Sequence, residues 1–237
     1  MRKAVVTAVV AAGLAAACVV QDSRLPEPDG QRPANFPEQS YRQAAARGKP
    51  VFRVDPALSR VVIEVRRGGS LARLGHDHVV ASHDVGGYVS PEDGRSDLYV
   101  PLERLVVDEP GLRADAGFDT QPSAGDIAGT RQNMLQKVLQ ADRYPFALIS
   151  VEGVDAAGDG AGANVAITLH GTTRAMRVPM RIETGADEVD VTGRLALDQT
   201  DFGIAPFAIL GGALQVQNRV NLSFRIRARR VGWQRLP

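Results

Sequence analysis

The feature that most constrains this chain is a strict two-residue alternation at both ends of its body. In Ser59–Arg66, Val61, Ile63 and Val65 fall on one side, while Arg60, Glu64 and Arg66 fall on the other. Val220, Leu222, Phe224, Ile226 and Ala228 alternate in the same way with Asn221, Ser223, Arg225, Arg227 and Arg229. Successive side chains of a strand leave from opposite faces, so both segments read as half-buried strands. Between them, Gly87–Val89, Asp97–Leu102, Phe146–Val151 and Asn164–Leu169 read as shorter strands. Arg174–Ile182 places Met176, Val178, Met180 and Ile182 on one face. Val189–Leu197 does the same with Val191, Leu195 and Leu197, and Gly193 is expected to mark a bend or bulge. Turn residues separate the runs at Pro91–Gly94, Ala156–Gly160 and Gly185–Asp187. Many short strands joined by turns predict an all-β sandwich or barrel, and 237 residues suffice for one sizeable core. Two short helices are expected. One spans Phe36–Arg47 and ends at Gly48; the other spans Thr130–Gln140, with Thr130 as N-cap and a stripe of Met134, Leu135, Val138 and Leu139.

The first residues have a different logic. Arg2 and Lys3 precede an apolar run, Ala4–Leu14, and the small residues Ala15–Ala17 lead to Cys18. This is the layout of a secretory leader over residues 1–17, and the run is too short to span a bilayer, which takes about 20 residues. Cys18 stands where a bacterial lipoprotein is acylated. Acylation there would anchor the protein to a membrane without crossing it. Residues 18–50 read as a lipidated or flexible tether carrying the first short helix, and residues 51–231 as the barrel domain. The expected location is the bacterial cell envelope: periplasmic and lipid-anchored to the outer membrane, or secreted. Val19 gives no mark for inner-membrane retention.

Other chemistry finds little support. A net charge of +1 gives no reason to expect a nucleic-acid surface. A single Cys allows neither an internal disulfide nor a thiolate zinc site. There is no phosphate-binding glycine loop and no Gly-x-Ser-x-Gly elbow, so no catalytic constellation is identified. Asp108, Glu109 and Asp115 read as acids of a solvated loop.

Three of the four histidines, His76, His78 and His83, fall within Leu74–Asp84. On a strand, His76 and His78 share a face, and neutral imidazoles at that spacing suit a transition metal. Asp77 would face the other way, and Asp84 is placed to orient His83. A third ligand would have to come from His170, Asp108 or Glu109. The competing reading makes His76, His78, His83 and His170 hydrogen-bonding groups within the barrel or at a polar mouth.

Five stretches together resemble the YceI-like family. They are Phe52–Val61, the helix leading into Arg143-Tyr144-Pro145-Phe146, Ile167–Arg174, Asp201-Phe202-Gly203-Ile204, and the closing strand from Gln217 to Ile226. The resemblance implies a single elongated, lipocalin-like antiparallel β-barrel with one or two short α-helices. It also implies an interior tunnel holding a polyisoprenoid, a quinone-like lipid or another long amphiphile, with no cofactor required and no reaction attached. The tunnel wall is then expected from Val61, Ile63, Val65, Ile167, Leu169, Leu195, Leu197, Leu222 and Phe224. Taken alone, the same stripes fit a filled core equally well. Asp201–Gly212 is apolar yet rich in Gly and Pro. It reads as a cap on the tunnel, a membrane contact or a buried connection. The row Arg225, Arg227, Arg229 and Arg230 faces outward, either toward anionic head groups or toward acids on neighbouring strands.

Overall fold

The computed structural model describes residues 32–155 and 160–233. The expected leader, Cys18 and the first part of the tether lie outside the described residues. The chain lays down α1 (Glu38–Ala46), β1 (Phe52–Val54), β2 (Arg60–Val65), β3 (Arg67–Gly68), β4 (His78–Ser82), β5 (Gly86–Ser90), β6 (Arg95–Pro101) and β7 (Val106–Val107). Then come α2 (Pro110–Asp115) and α3 (Ala124–Asn133), which runs into a π-turn at Met134–Val138. The remainder is β8 (Phe146–Val154), β9 (Gly162–Leu169), β10 (Thr172–Thr184), β11 (Glu188–Asp198), β12 (Ala208–Ile209), β13 (Leu214–Val216) and β14 (Arg219–Arg230).

These strands form an eight-stranded antiparallel barrel. β1 and β2 make one interrupted stave, and β4 and β5 make its neighbour: Phe52 pairs with Val89 and Val61 with Ser82. The wall continues through β6, β8, β9, β10, β11 and β14. One edge of β14 pairs with β11 along its length. Its other edge takes β2 at Asn221–Arg225 and β1 at Ala228–Arg230, which seals the wall. Between β10 and β11 the ladder runs only from Met180↔Gly193 to Thr184↔Val189, and Thr172–Pro179 of β10 pair with β9.

The break in the first stave shows how local chemistry keeps the seam intact. Pro56 ends β1, and the Asp55 side chain caps the short turn by accepting from the Ala57 amide at 3.1 Å. Ser59 Oγ then donates to the Arg227 carbonyl and accepts from the Arg227 amide, at 3.2 and 3.0 Å. A serine hydroxyl thus replaces the missing strand partner, as buried backbone polar groups demand.

The outward arginines are paired. Asp190 Oδ2 accepts from both Arg225 and Arg227 at 2.6 Å, and Arg229 lies 3.2 Å from Asp55. Of the two readings of that row, cross-strand pairing describes these three residues.

Three expectations change in the structure. The second helix begins at Ala124, not at Thr130, because Ser123 and Asp126 form a reciprocal capping box. Thr130 lies inside the helix. Gly193 marks no bulge: the register with β14 runs through it unbroken, and a Cβ there would lie 2.5 Å from the Phe224 ring, so the glycine makes room for that ring. The irregularity sits on β8, between Glu152 and Val154. Finally, the part of the tether carrying α1 is docked on the outer wall. Tyr41, Ala44 and Val51 are buried with Tyr88, Phe36 and Trp233 pack against them, and the Tyr41 hydroxyl donates to Asp97 at 2.7 Å.

Candidate ligand cavity and the polar cap beside it

The apolar stripes converge on a cavity of about 540 Å³ along the barrel axis. Its lining on β8 runs from Ala147 to Val154, seven steps or roughly 23 Å of strand. Val61, Ile63, Ile167, Leu169, Leu195, Leu197, Leu222 and Phe224 line it. Val65 does not, although it packs against the same apolar cluster as Val61 and Ile63. The inward-facing Val61, Ile63, Leu195, Leu222 and Phe224 are only half buried although they point to the axis. Side chains filling a solid core would be fully covered, so the interior is hollow.

The two ends of the cavity differ. Val154 lines it while 41% exposed, and Thr184, also of the lining, is exposed, so this end opens to solvent. At the other end Phe202, Ile204 and Leu135 are buried, and Leu139 closes over the lining. The Asp201–Gly212 segment therefore divides: Phe202 and Ile204 plug the barrel, whereas Ile209 and Leu210 face outward. Among the described residues Arg95 is the one charged member of the lining, and its guanidinium turns away to Asp97 at 2.8 Å.

None of His76, His78, His83 and His170 lines the cavity. The expected polar mouth of histidines does not form, because their segment lies beside the closed end. His78 Nδ1 is 2.6 Å from Asp108 Oδ2. A carboxylate can only accept, so Nδ1 carries the proton and Nε2 faces the Thr130 hydroxyl at 3.5 Å. Asp108 Oδ1 accepts from the Val79 amide at 3.0 Å and from Arg113 at 2.6 Å. Arg113 also donates to the carbonyls of Asp77 and Thr120. Asp108 is no solvated-loop acid: its side chain is fully covered, and its backbone is left-handed at φ 59°. Burial by itself raises the Asp108 carboxyl. The hydrogen bonds from His78, Val79 and Arg113 outweigh it and hold the pKa below the ordinary value.

The remaining site residues are also accounted for. His76 and His78 meet edge to face with ring centres 6.2 Å apart. His83 pairs with Glu109 at 2.8 Å, and Asp84 turns to Arg104 rather than to His83. His170 and Gly171 form the two-residue β9–β10 turn, both with positive φ, and the His170 ring packs on Tyr144. Two of the family-like stretches thus touch there. Of the suggested third ligands, Asp108 is bound directly to His78, Glu109 to His83, and His170 packs on Tyr144; among the described residues no three His, Cys, Asp or Glu side chains gather to hold a metal ion. Sequence reasoning missed Arg113 and Thr120, which carry no spacing signal.

A YceI-like domain model matches residues 52–228. The chain belongs to the YceI-like family. Among solved structures, the YceI-like barrel is similar to a polyisoprenoid-binding domain from Saccharophagus degradans implicated in plant cell wall breakdown. The two share 12% identity over 76% of this chain and 98% of that one, with a TM-score of 0.54. It is also similar to Burkholderia cenocepacia BcnA, at 14% identity, 73% and 98% coverage and a TM-score of 0.49. A Campylobacter jejuni YceI protein follows at 11% identity, 62% and 81% coverage and a TM-score of 0.42. No curated protein matches the chain.

Proposed function

We propose that this protein binds and carries one long apolar or amphiphilic molecule, of isoprenoid or quinone-like type, inside the barrel. The carrying observation is the hollow itself: about 540 Å³ walled by half-buried aliphatic side chains, with the single lining arginine turned away to Asp97. That volume lies in the usual range for ligand sites, roughly 300–1,000 Å³. The tail enters through the end at Val154 and Thr184 and stops against Leu139 and the Phe202 plug. Burial of its surface supplies about 25 cal/mol per Å², less the cost of ordering it. The polyisoprenoid-binding description of the Saccharophagus degradans domain supports the choice of ligand class. In this reading the protein is a carrier and not an enzyme, needs no cofactor, and sits in the bacterial envelope, acylated at Cys18.

Organic extraction of the purified protein followed by mass spectrometry tests the proposal. One apolar molecule per chain is expected, and Val191→Phe, which narrows the hollow, should lower its retention. Repeated recovery of empty protein that also fails to take up added isoprenoids would end the reading. The same substitution probes the hollow directly. A solid core loses about 1–3 kcal/mol to such overpacking, whereas here the denaturation midpoint should stay close to wild type.

A further inference from the structure

A second apolar feature lies outside the barrel, at the closed end. From Phe202 to Asn218 the chain carries no charged residue. Its first part plugs the barrel, but the outer part runs through β12 and β13 into a small sheet with β3. There Ile209 is 45% and Leu210 67% exposed. Leu74, 64% exposed, belongs to the same tip: the Leu71 amide donates to the Ala213 carbonyl at 2.8 Å, and Gly75 abuts the Leu214 side chain.

The backbone holds this tip outward. Leu210, Gly211 and Gly212 are all left-handed, with φ of 52°, 65° and 90°. A leucine in that conformation costs energy, and here it presents its side chain to water. β12 is the outer strand of its sheet and lacks the charges that commonly protect such an edge. Cations flank the tip. Arg73 adjoins Leu74 and is exposed, and Lys137 lies over the Phe207 ring at 5.8 Å. Asp201 is the exposed acid at the start of the segment; Arg66 is matched by Glu64, and Arg67 by Asp119.

We infer that the tip formed by Leu74, Ile209 and Leu210 docks on the surface of an anionic phospholipid membrane. The aliphatic side chains enter the boundary between head groups and acyl chains, and Arg73 and Lys137 meet lipid phosphates. The inference does not depend on what fills the barrel, since the cavity opens at the opposite end.

A single-tryptophan reporter tests it. In a Trp233→Phe background, Leu210→Trp marks the tip and Glu183→Trp marks the open end. Vesicles of phosphatidylglycerol and phosphatidylethanolamine should shift the Leu210→Trp emission to shorter wavelength. Brominated acyl chains should quench it severalfold more than Glu183→Trp. Vesicles of phosphatidylcholine alone should give a much smaller response. Equal responses from the two reporters, no response at position 210, or no dependence on lipid charge would each overturn the inference. A blue shift that grows with protein concentration without vesicles would also overturn it, in favour of pairing between two copies. Because the readout is local to position 210, it holds whether or not Cys18 is acylated.

Discussion

The two ends of the barrel solve opposite problems with the same wall. The end at Val154 and Thr184 is left open, walled by aliphatic side chains that are only half covered. The other end is packed shut by Phe202, Ile204 and Leu135, and beside it the buried network of His78, Asp108 and Arg113 ties the helical excursion to β4. Among the described residues, ionised groups gather where shape has to be fixed, and the one in the cavity lining, Arg95, is turned away to Asp97. A buried charge is tolerable only with all its partners in place, which makes it a clamp and a poor cavity lining.

The contrast can be broken most directly at the clamp. Arg113→Leu leaves the covered Asp108 carboxylate without its guanidinium, and a loss of about 3–5 kcal/mol is expected in urea unfolding. A loss below about 1 kcal/mol would mean that the network does not fasten the closed end. The plug and the hollow can then be compared with one kind of truncation. Phe202→Ala removes a fully packed ring, for an expected cost of roughly 3–5 kcal/mol. Leu195→Ala removes a side chain that already borders open space, so it should cost less than about 2 kcal/mol. Similar costs at the two sites would mean that the interior is filled.

Acid sharpens the comparison further. The Asp108 carboxyl is held below its ordinary value of 3.8. Its contribution is present in full above that range and is lost as pH falls through the folded-state pKa. Melting temperatures recorded from about pH 6 down to about pH 2 should therefore fall less steeply in Asp108→Asn than in wild type. Parallel curves would assign the acid sensitivity to other carboxylates, such as Asp190. The smallest expected effect is at the cap of α3, where Ser123→Ala should cost about 1 kcal/mol and leave the cavity unaltered.

How far the sequence could be read follows from these regions. Period-two alternation is a local signal, so the long staves β2, β10, β11 and β14 were legible, and so were eight of the nine wall residues. Val65 failed because alternation gives a face but not a height along the barrel. The histidine cluster failed for a related reason. Parity put His76 and His78 on one face, but whether that face met the cavity or the helical cap depended on Asp108, thirty residues away from His78, turning back in a left-handed conformation. The apolar stripe points to Thr130 as the helix start because it begins near it, whereas the capping box at Ser123 and Asp126 opens a first half of mostly small residues, Ala124, Gly125, Ala128 and Gly129, that carry no stripe. The docking of α1 rests on Tyr41 meeting Tyr88 and Asp97, contacts that no periodicity encodes.

The way β14 touches both sides of the seam has a consequence for how the chain acquires its shape. Each earlier stave can settle against the one made just before it, but the ring is joined only when residues 219–230 arrive, next to partners laid down some 160 to 180 positions earlier. Such distant pairing is slow, because the ends must find one another before any stabilisation is gained. Until then the greasy faces of a curved, unsealed sheet stand open to water. A chain cut short of this last strand would have lost the hollow itself, along with the only neighbour that β1 and β2 share.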